Sequence, residues 1–549
     1  MVKLFTKTFS FFTRQQTGIL SAASIIMMTV AASRILGLVR DRMLTSRFTP
    51  DDLGVYYAAF RLPNLIFELL VMGALSTAFI PVFTSYLETD RKKDAFKIAS
   101  SVINIGFILL AILSIPILIF TPLVCRFLAP GFSDDQIALM VPFTRIMVLA
   151  QVAPLLIGNF FTGILQSFRN FIIPALAPVL YNLGIILGII LFTSSAGLFA
   201  PVYGVVLGSI LFTAIQFPLV FIYGYRHSWS FDIKNQGVRD IGKLMGPRTF
   251  GLAISQIDTT VDLMLSSLLG SAAVTIFNLA QHLQQMPIGL FGASLAQATF
   301  PSLSGSWVKK NIEEFKSLFL VAFHQILFWI VPISAILIVL RIPMVRLVFG
   351  AKRFDWEATV LTGKTLAFFS LSLFAQSLVH LLARGFFALH DSKTPVAIGG
   401  VAVMINTILS ILFIKSFHLP IWSLGLSTSI ASIFNALFLL IYLDKKVGRF
   451  PKAQLIIPVI KIFLAGLVTG FALYIPIKLL DQLVFDTTRT FSLLILTGIS
   501  TSIGMSVYLL LAWFLEIPEF SMFFKLLKRA EKLKGIFIEP SQEVVNVPE

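Results

Sequence analysis

Charge is what this chain has least of. Only 13% of its 549 residues are Asp, Glu, Lys or Arg, against 57% hydrophobic, and the mean hydropathy is +0.89. Such scarcity excludes a soluble protein, which would split at this length into several domains, each with a hydrophilic surface. Cysteine is almost absent. Cys125 stands alone, so no intramolecular disulfide can form, and its apolar neighbourhood reads as a buried, inert thiol. The six histidines are scattered, with no HExxH and no metal-spaced Cys/His set, which leaves nothing to build a catalytic metal site. ATVLTGKT (358–365) approaches a phosphate-binding loop, but Ala358 replaces its first glycine and no strand precedes it. Polar alternation is missing too. INIGFILLAILSIPILIF (103–120) is apolar on every face, which excludes the strands of a membrane barrel and requires helices that satisfy their own backbone groups.

What the chain does have is apolar runs of about 20 residues, the length a helix needs to cross about 30 Å of hydrocarbon. They fall near 18–38, 55–84, 98–124, 137–164, 171–193, 200–223, 247–268, 273–300, 317–340, 357–388, 394–414, 421–442, 455–477 and 491–514. The expected fold is an all-α polytopic membrane protein with about fourteen transmembrane helices. The net charge of +16 lies mainly in short connections, so it reads as membrane topology and not as an affinity for nucleic acid. With the N-terminus inside, the even-numbered connections should be basic. They hold Arg91, Lys92, Lys93 and Lys97; Arg169; Arg226, Lys234, Arg239, Lys243 and Arg248; Lys309, Lys310 and Lys316; Lys393; and Lys445, Lys446, Arg449 and Lys452. Arg341, Arg346, Lys352 and Arg353 are the exception. Both termini are therefore expected in the cytoplasm. The basic MVKLFTKTFSFFTR at the start reads as retained, and EFSMFFKLLKRAEKLK (519–534) as an interfacial amphipathic helix before a disordered tail.

An internal repeat organises the spans. Pro63 and Pro287 are 224 residues apart, as are Asn182 and Asn406, while Pro81 and Pro301 are 220 apart. GILQSFRNFIIPALAPVLYNLGIILGIIL (163–191) echoes RGFFALHDSKTPVAIGGVAVMINTILSIL (384–412). Six spans per copy is an even number, so both copies enter the membrane in the same orientation, a parallel repeat of the kind that encloses a central cavity. The expected division is an N-terminal lobe over 1–225, a C-terminal lobe over 226–445, two further helices over 446–516, and a basic amphipathic segment with a tail over 517–549.

Ionisable groups inside spans are expensive and face a bundle interior, a partner or water. In SRILGLVRDR (33–42), Arg34 and Asp41 are seven residues apart, as are Ser33 and Arg40, so each pair returns nearly to one helical face. Arg40, Asp41 and Arg42 could also be an interfacial span end reaching toward water. Arg61 is followed by Pro63 and Asn64, where proline frees a carbonyl and a guanidinium can meet a lipid phosphate with paired hydrogen bonds; Glu68 could instead be its partner along the helix. Asp258 and Asp262 share a face, a pattern for a cation or proton site or for hydrogen bonds between helices. His282 sits among Gln281, Gln284 and Gln285.

SRILGLVRD (33–41), AFRLPNL (59–65), MGALSTAFIPVF (72–83), IPALAPVLYN (173–182) and SKTPV (392–396) resemble the MurJ/MviN lipid II flippases of the MOP exporter superfamily, over the first twelve helices in order. The resemblance implies two six-helix lobes around a central cavity plus two C-terminal helices, in the bacterial cytoplasmic membrane. It implies translocation of the undecaprenyl-pyrophosphate-linked peptidoglycan precursor by alternating access, without nucleotide hydrolysis. Ser33, Arg34, Arg40 and Asp41 would line the cavity, the arginines meeting the pyrophosphate. Asp262 and Asn406 match part of a sodium site held by some relatives, with Ser410 where a second carboxylate is expected.

The chain departs from the family's pattern at Phe67 and Glu68 in place of paired arginines, Met72 in place of a glutamate, Gly54 in place of an aspartate and His282 in place of an arginine. Arg61 and Arg384 could compensate, or the lipid-linked cargo could differ. The expected substrate contacts are thus Ser33, Arg34, Arg40, Asp41, Arg61, Asn64, His282 and Arg384, with His282 a pH-sensitive contact. No enzyme activity is expected; transport would be driven by membrane potential or an ion gradient, with no cofactor beyond a coupling sodium ion or proton. Expected partners are the lipid-linked precursor and membrane lipids. The alternatives are an exporter of another polyprenyl-linked saccharide, a drug/cation antiporter, and a non-transporting scaffold that recruits cell-wall synthesis proteins.

Overall fold

A computed structural model describes residues 19–72, 78–483 and 490–521; the N-terminal basic stretch and nearly all of the expected amphipathic segment and tail lie outside them. Among the described residues every regular element is a helix. The expected apolar runs fall largely on helices over their described residues, with breaks at 120, 151, 215–216 and 371–372. Among the described residues nine helices are long and apolar enough to cross a membrane, and the pair Trp356–Ser370 and Leu373–Ala388, bent by 45° where they meet, makes a tenth if taken as one span. ATVLTGKT lies inside one helix of that pair, so it forms no phosphate-binding loop. The first helix runs Ile19–Arg47, nine residues past its expected end at 38. It continues because Arg40, Asp41 and Arg42 find partners within the protein and have no need to reach water.

Local signals set the boundaries. Thr49 closes a capping box with Asp52, its hydroxyl accepting from the Asp52 N–H at 3.2 Å and its own N–H donating to Asp52 Oδ2 at 3.1 Å, and Pro50 occupies the first helical position. Ser133 and Gln136 repeat the device at Asp134–Ala150. The SKTPV stretch starts the helix Lys393–Ile411, which Asp391 caps by accepting from the N–H groups of Lys393 and Thr394 at 3.1 and 3.0 Å, while Lys446 donates from 2.6 Å. Burial pushes the Asp391 carboxyl up, but the bonds from Lys446 and Thr394 outweigh this and hold it below the usual carboxylate range.

The repeat is written into the backbone. Helices begin at Pro50 and Ser271, Lys92 and Ile312, Thr121 and Arg341, Asp134 and Trp356, Val152 and Leu373, Ile172 and Lys393, and Phe199 and Trp422, each pair 220 to 223 positions apart. The turns repeat too. Asp90 and Lys310, 220 apart, both take a left-handed φ (58° and 57°), as do Arg169 and His390 (60° and 56°), 221 apart. Each follows a helix and is succeeded by a residue whose N–H reaches back five positions: Arg91 to Tyr86, Asn311 to Ser306, Asn170 to Leu165 and Asp391 to Phe386, all at 2.9 Å. This closure satisfies the last carbonyls of a helix and turns the chain sharply. π-helical turns follow the repeated prolines, at Glu68–Met72 after Pro63 and at Ile288–Ala293 after Pro287.

The chain forms two compact units, the first of residues 1–282, 345–365 and 400–428, the second of residues 283–344, 366–399 and 429–549. In the second, Ile312–Val339 packs against Lys452–Leu483 and Leu373–Ala388, and the buried Tyr508 hydroxyl donates to the Phe328 carbonyl at 2.7 Å. In the first, Phe79, Phe83, Phe160 and Phe161 build one aromatic cluster, while Tyr56, Met140, Phe143 and Met147 anchor another that includes Cys125, buried as expected. Also in the first unit, Ile172–Ala196 lies along Phe199–Ala214 with glycine against glycine. A Cβ on Gly188 would stand 2.2 Å from the Gly204 Cα. Lipid offers helices no hydrophobic drive to associate, so they hold together by such close backbone approach. Gly188→Val is therefore expected to destabilise the protein by about 1–3 kcal/mol, read as a lowered melting temperature in detergent, whereas Gly242→Ala, where a Cβ meets open space, leaves it unchanged.

Candidate functional site

The arginines of the first helix have different fates. Arg34 is exposed and has no ion-pair partner among the described residues. Arg42 donates to the carbonyls of Leu347 at 2.5 Å and Val348 at 3.5 Å, and Thr45 to that of Phe349 at 2.8 Å, so these side chains satisfy the C-terminal end of the helix Arg341–Phe349. Arg47 donates to the Ile189 carbonyl. Arg40 turns instead to its neighbour Asp41, whose oxygen Oδ1 accepts from Nε at 3.0 Å and from Nη2 at 2.8 Å.

Asp41 is 1% exposed. A buried carboxylate is tolerable only when paired and hydrogen-bonded, and this one is. Its second oxygen lies 2.9 Å from His282 Nδ1, on the helix Ser271–Pro287, and Tyr57 stands edge-on to the imidazole with centroids 6.1 Å apart. The free end of Arg40, Nη1, donates to Asn182 Oδ1 at 3.2 Å, and the Asn182 amide donates to the Ser33 hydroxyl at 3.2 Å. Ser33, Arg40, Asp41 and His282 thus form one network joined through Asn182. The alternative of an interfacial span end fails for Arg40 and Asp41, because both are held inside the fold. Asn182 had marked the repeat in sequence, but nothing there showed that its amide reads Arg40 and Ser33 together.

Arg61 belongs to a second network. Its Nε and Nη2 donate to Thr260 Oγ1 at 3.1 and 2.9 Å, and Nη2 also to the Gln256 carbonyl at 2.6 Å. Glu68 does not pair with Arg61 directly. The Gln256 side-chain amide donates to it, so Gln256 holds both ions apart on one helix, Gln236–Ser267. Gln256 and Thr260 were missed by sequence reasoning; their signal was the dense polar run QIDTTVD (256–262) in an apolar chain. Asn64 is half-buried and makes no side-chain hydrogen bond among the described residues. Arg384 belongs to the second unit, where it donates to the carbonyl of Ala293 at 2.8 Å, the last residue of a π-helical turn.

Asp258 and Asp262 meet Asn406, whose amide nitrogen lies 2.9 Å from Asp258 Oδ1 and 3.4 Å from Asp262 Oδ1. Asn406 and Asp262 are 2% and 4% exposed, and Asn406 Oδ1 is buried with no hydrogen-bond partner. Ser410 adds no oxygen here, being bonded to Ser427 at 2.6 Å. Gly54, where a carboxylate was expected, is explained by contact. A Cβ at that position would stand 1.9 Å from the Ser271 carbonyl oxygen, so no side chain fits.

Nine helices long and apolar enough to cross a membrane among the described residues, together with charges held in buried networks on the helices around them, mark a multi-pass membrane protein. The fold is shared with an inward-facing MATE family transporter of the MOP superfamily, at a TM-score of 0.65 over 77% of this chain and 98% of that one, a likeness of fold alone at 15% identity. The family model of the lipid II flippase MurJ matches residues 51–526, and the chain belongs to that family. The probable lipid II flippase MurJ of Rhizobium meliloti is 26% identical over 520 residues, 92% of this chain and 95% of the relative. The lipid II flippase MurJ of Burkholderia cenocepacia is 26% identical over 431 residues, covering 75% and 81%. A solved lipid II flippase MurJ in an inward closed conformation matches at a TM-score of 0.75 and 25% identity, over 91% of this chain and 99% of that one. Such proteins are multi-pass and reside in the bacterial inner membrane.

Asn182 gives the geometry its first test. Asn182→Ala removes an acceptor from Arg40 and a donor from Ser33, and is expected to destabilise the fold by about 1–3 kcal/mol in thermal unfolding, whereas Asn159→Ala, which loses only a bond to a carbonyl of its own helix, falls well below that.

Proposed function

We propose that this chain translocates lipid II, the undecaprenyl-pyrophosphate-linked peptidoglycan precursor, from the inner to the outer leaflet by alternating access. The observation that carries the reading is Arg40. Asp41 and Asn182 hold its guanidinium from two sides, so it is oriented before any ligand arrives, and the exposed Arg34 adds an uncompensated cation a turn and a half away. A pyrophosphate linkage carries two negative charges whose oxygens suit the paired donors of arginine. In a medium of low dielectric those charges need such compensation to leave water. Orienting the donor in advance spares the ordering that binding would otherwise require.

Transport without nucleotide needs another source of work. Asp258 and Asp262 bring carboxylate oxygens to one place, bridged by the Asn406 amide nitrogen, and these carboxylates would hold the coupling sodium ion or proton, with the unpartnered Asn406 Oδ1 a further oxygen ligand once the amide turns over. Hard cations take carboxylate and amide oxygens of this kind. The repeat copies are read as lobes over 1–225 and 226–445, with 446–516 as two added helices, 517–549 as a cytoplasmic tail, and both termini in the cytoplasm as the basic even-numbered connections indicate.

Complementation tests the reading. In a bacterium depleted of its own lipid II flippase, the wild-type chain is expected to restore growth, and Arg40→Ala and Arg34→Ala to fail at equal membrane abundance. Each lost charge-assisted contact removes about 1.5–3 kcal/mol, roughly tenfold to a hundredfold in affinity. Rescue by both arginine variants would contradict the assignment.

A further inference from the structure

We infer that binding of a pyrophosphate lipid at Arg40 takes up one proton from solution onto His282, which makes His282 a proton site linked to the cargo. The inference rests on the flippase reading and adds what that reading leaves open, a chemical link between substrate and proton. His282 meets Asp41 through one ring nitrogen only. Nδ1 is 2.9 Å from Oδ2, and a carboxylate there requires the proton to sit on Nδ1. Nε2 makes no hydrogen bond among the described residues, and the side chain is 34% exposed, so that edge of the ring is open to a ligand.

The consequence follows from the two faces of imidazole. In the neutral ring, with Nδ1–H committed to Asp41, Nε2 presents a lone pair, which repels a phosphate oxygen. In the protonated ring Nε2–H is a donor, and the charge on the ring adds to the attraction. The charge balance of the network points the same way. Arg40 and Asp41 cancel, so with neutral His282 the set is neutral, and protonation of His282 gives it one positive charge against an incoming dianion. The groups facing the ring leave no other candidate for the proton. The first helix contributes Arg40 and Asp41, already an ion pair, and the second contributes Tyr56 and Tyr57, which stay neutral through this range. The helix of His282 itself supplies only the amides of Gln281, Gln284 and Gln285 beside it. A pyrophosphate joined to carbon at both ends stays fully ionised from pH 6 to 8, so it takes up no proton of its own.

Because the protonated ring binds the lipid better, affinity rises as pH falls. The experiment uses the full chain in lipid nanodiscs with lipid II as the probe. Affinity is measured at pH 6, 7 and 8, and proton uptake is followed with an indicator dye in weak buffer. For wild type the expected results are binding about tenfold tighter at pH 6 than at pH 8 and, by linkage, proton uptake averaging about half a proton per lipid bound between those limits. His282→Gln, which cannot titrate, is expected to bind with one affinity at all three values and take up no proton. His282→Arg, permanently charged, is expected to bind independently of pH. Tight wild-type binding that is indifferent to pH, or a pH dependence that His282→Gln retains, would overturn the proton link while leaving the flippase reading intact. Failure of wild type to bind lipid II at pH 6, or undiminished binding by Arg40→Ala, would overturn both.

Discussion

A single buried carboxylate governs the arrangement around it. Asp41 lies almost wholly out of solvent in a helix of a membrane protein, where an unpaired negative charge would be prohibitively unstable. It is kept by two donors from two directions, Arg40 on its own helix and His282 on another. That requirement fixes more than the charge. It pins the first helix to Ser271–Pro287, and it turns Arg40 so that its remaining nitrogen meets Asn182. It also explains why the first helix continues well past the point where its apolar run ends. Removing one partner of such a buried pair typically costs about 3–5 kcal/mol because the other is left buried and alone.

The repeat shows how one scaffold serves two chemistries. Asn182 and Asn406 occupy matching helices of the two copies, Ile172–Ala196 and Lys393–Ile411. Each sends its side-chain amide to the helix that opens its own copy. In the first copy the amide meets Ser33 and Arg40; in the second it meets Asp258 and Asp262. The same crossing therefore carries a guanidinium in one place and a pair of carboxylates in the other. Opposite charges thus sit on equivalent elements built from one plan.

Much of this was legible in the sequence because lipid restricts the choices. Apolar runs gave the helices, and Pro63, Pro287, Asn182 and Asn406 gave the repeat, since those residue types are too particular for apolar similarity to produce by chance. The candidate residues Ser33, Arg40, Asp41 and His282 come together as one network. What could not be read was pairing. Nothing in a linear pattern shows that Arg61 is taken by Thr260 and Gln256 and not by Glu68, because the partners lie about two hundred residues away on a separate helix. Helix ends were misplaced where polar residues were assumed to seek water, as at residues 38–47. Gly54 read as a lost carboxylate, whereas its place against the Ser271 backbone leaves no room for one.

The central claim is that the buried charge of Asp41 aims Arg40 at the pyrophosphate of the cargo. Translocation of fluorescent lipid II in proteoliposomes, with outer-leaflet label destroyed by a membrane-impermeant reductant, tests it most directly through Asp41→Asn, which keeps the shape and removes the charge. The account predicts that wild type moves the lipid between leaflets and that Asp41→Asn, folded and inserted in equal amount, moves it at least about tenfold more slowly. Equal rates for the two proteins would contradict it.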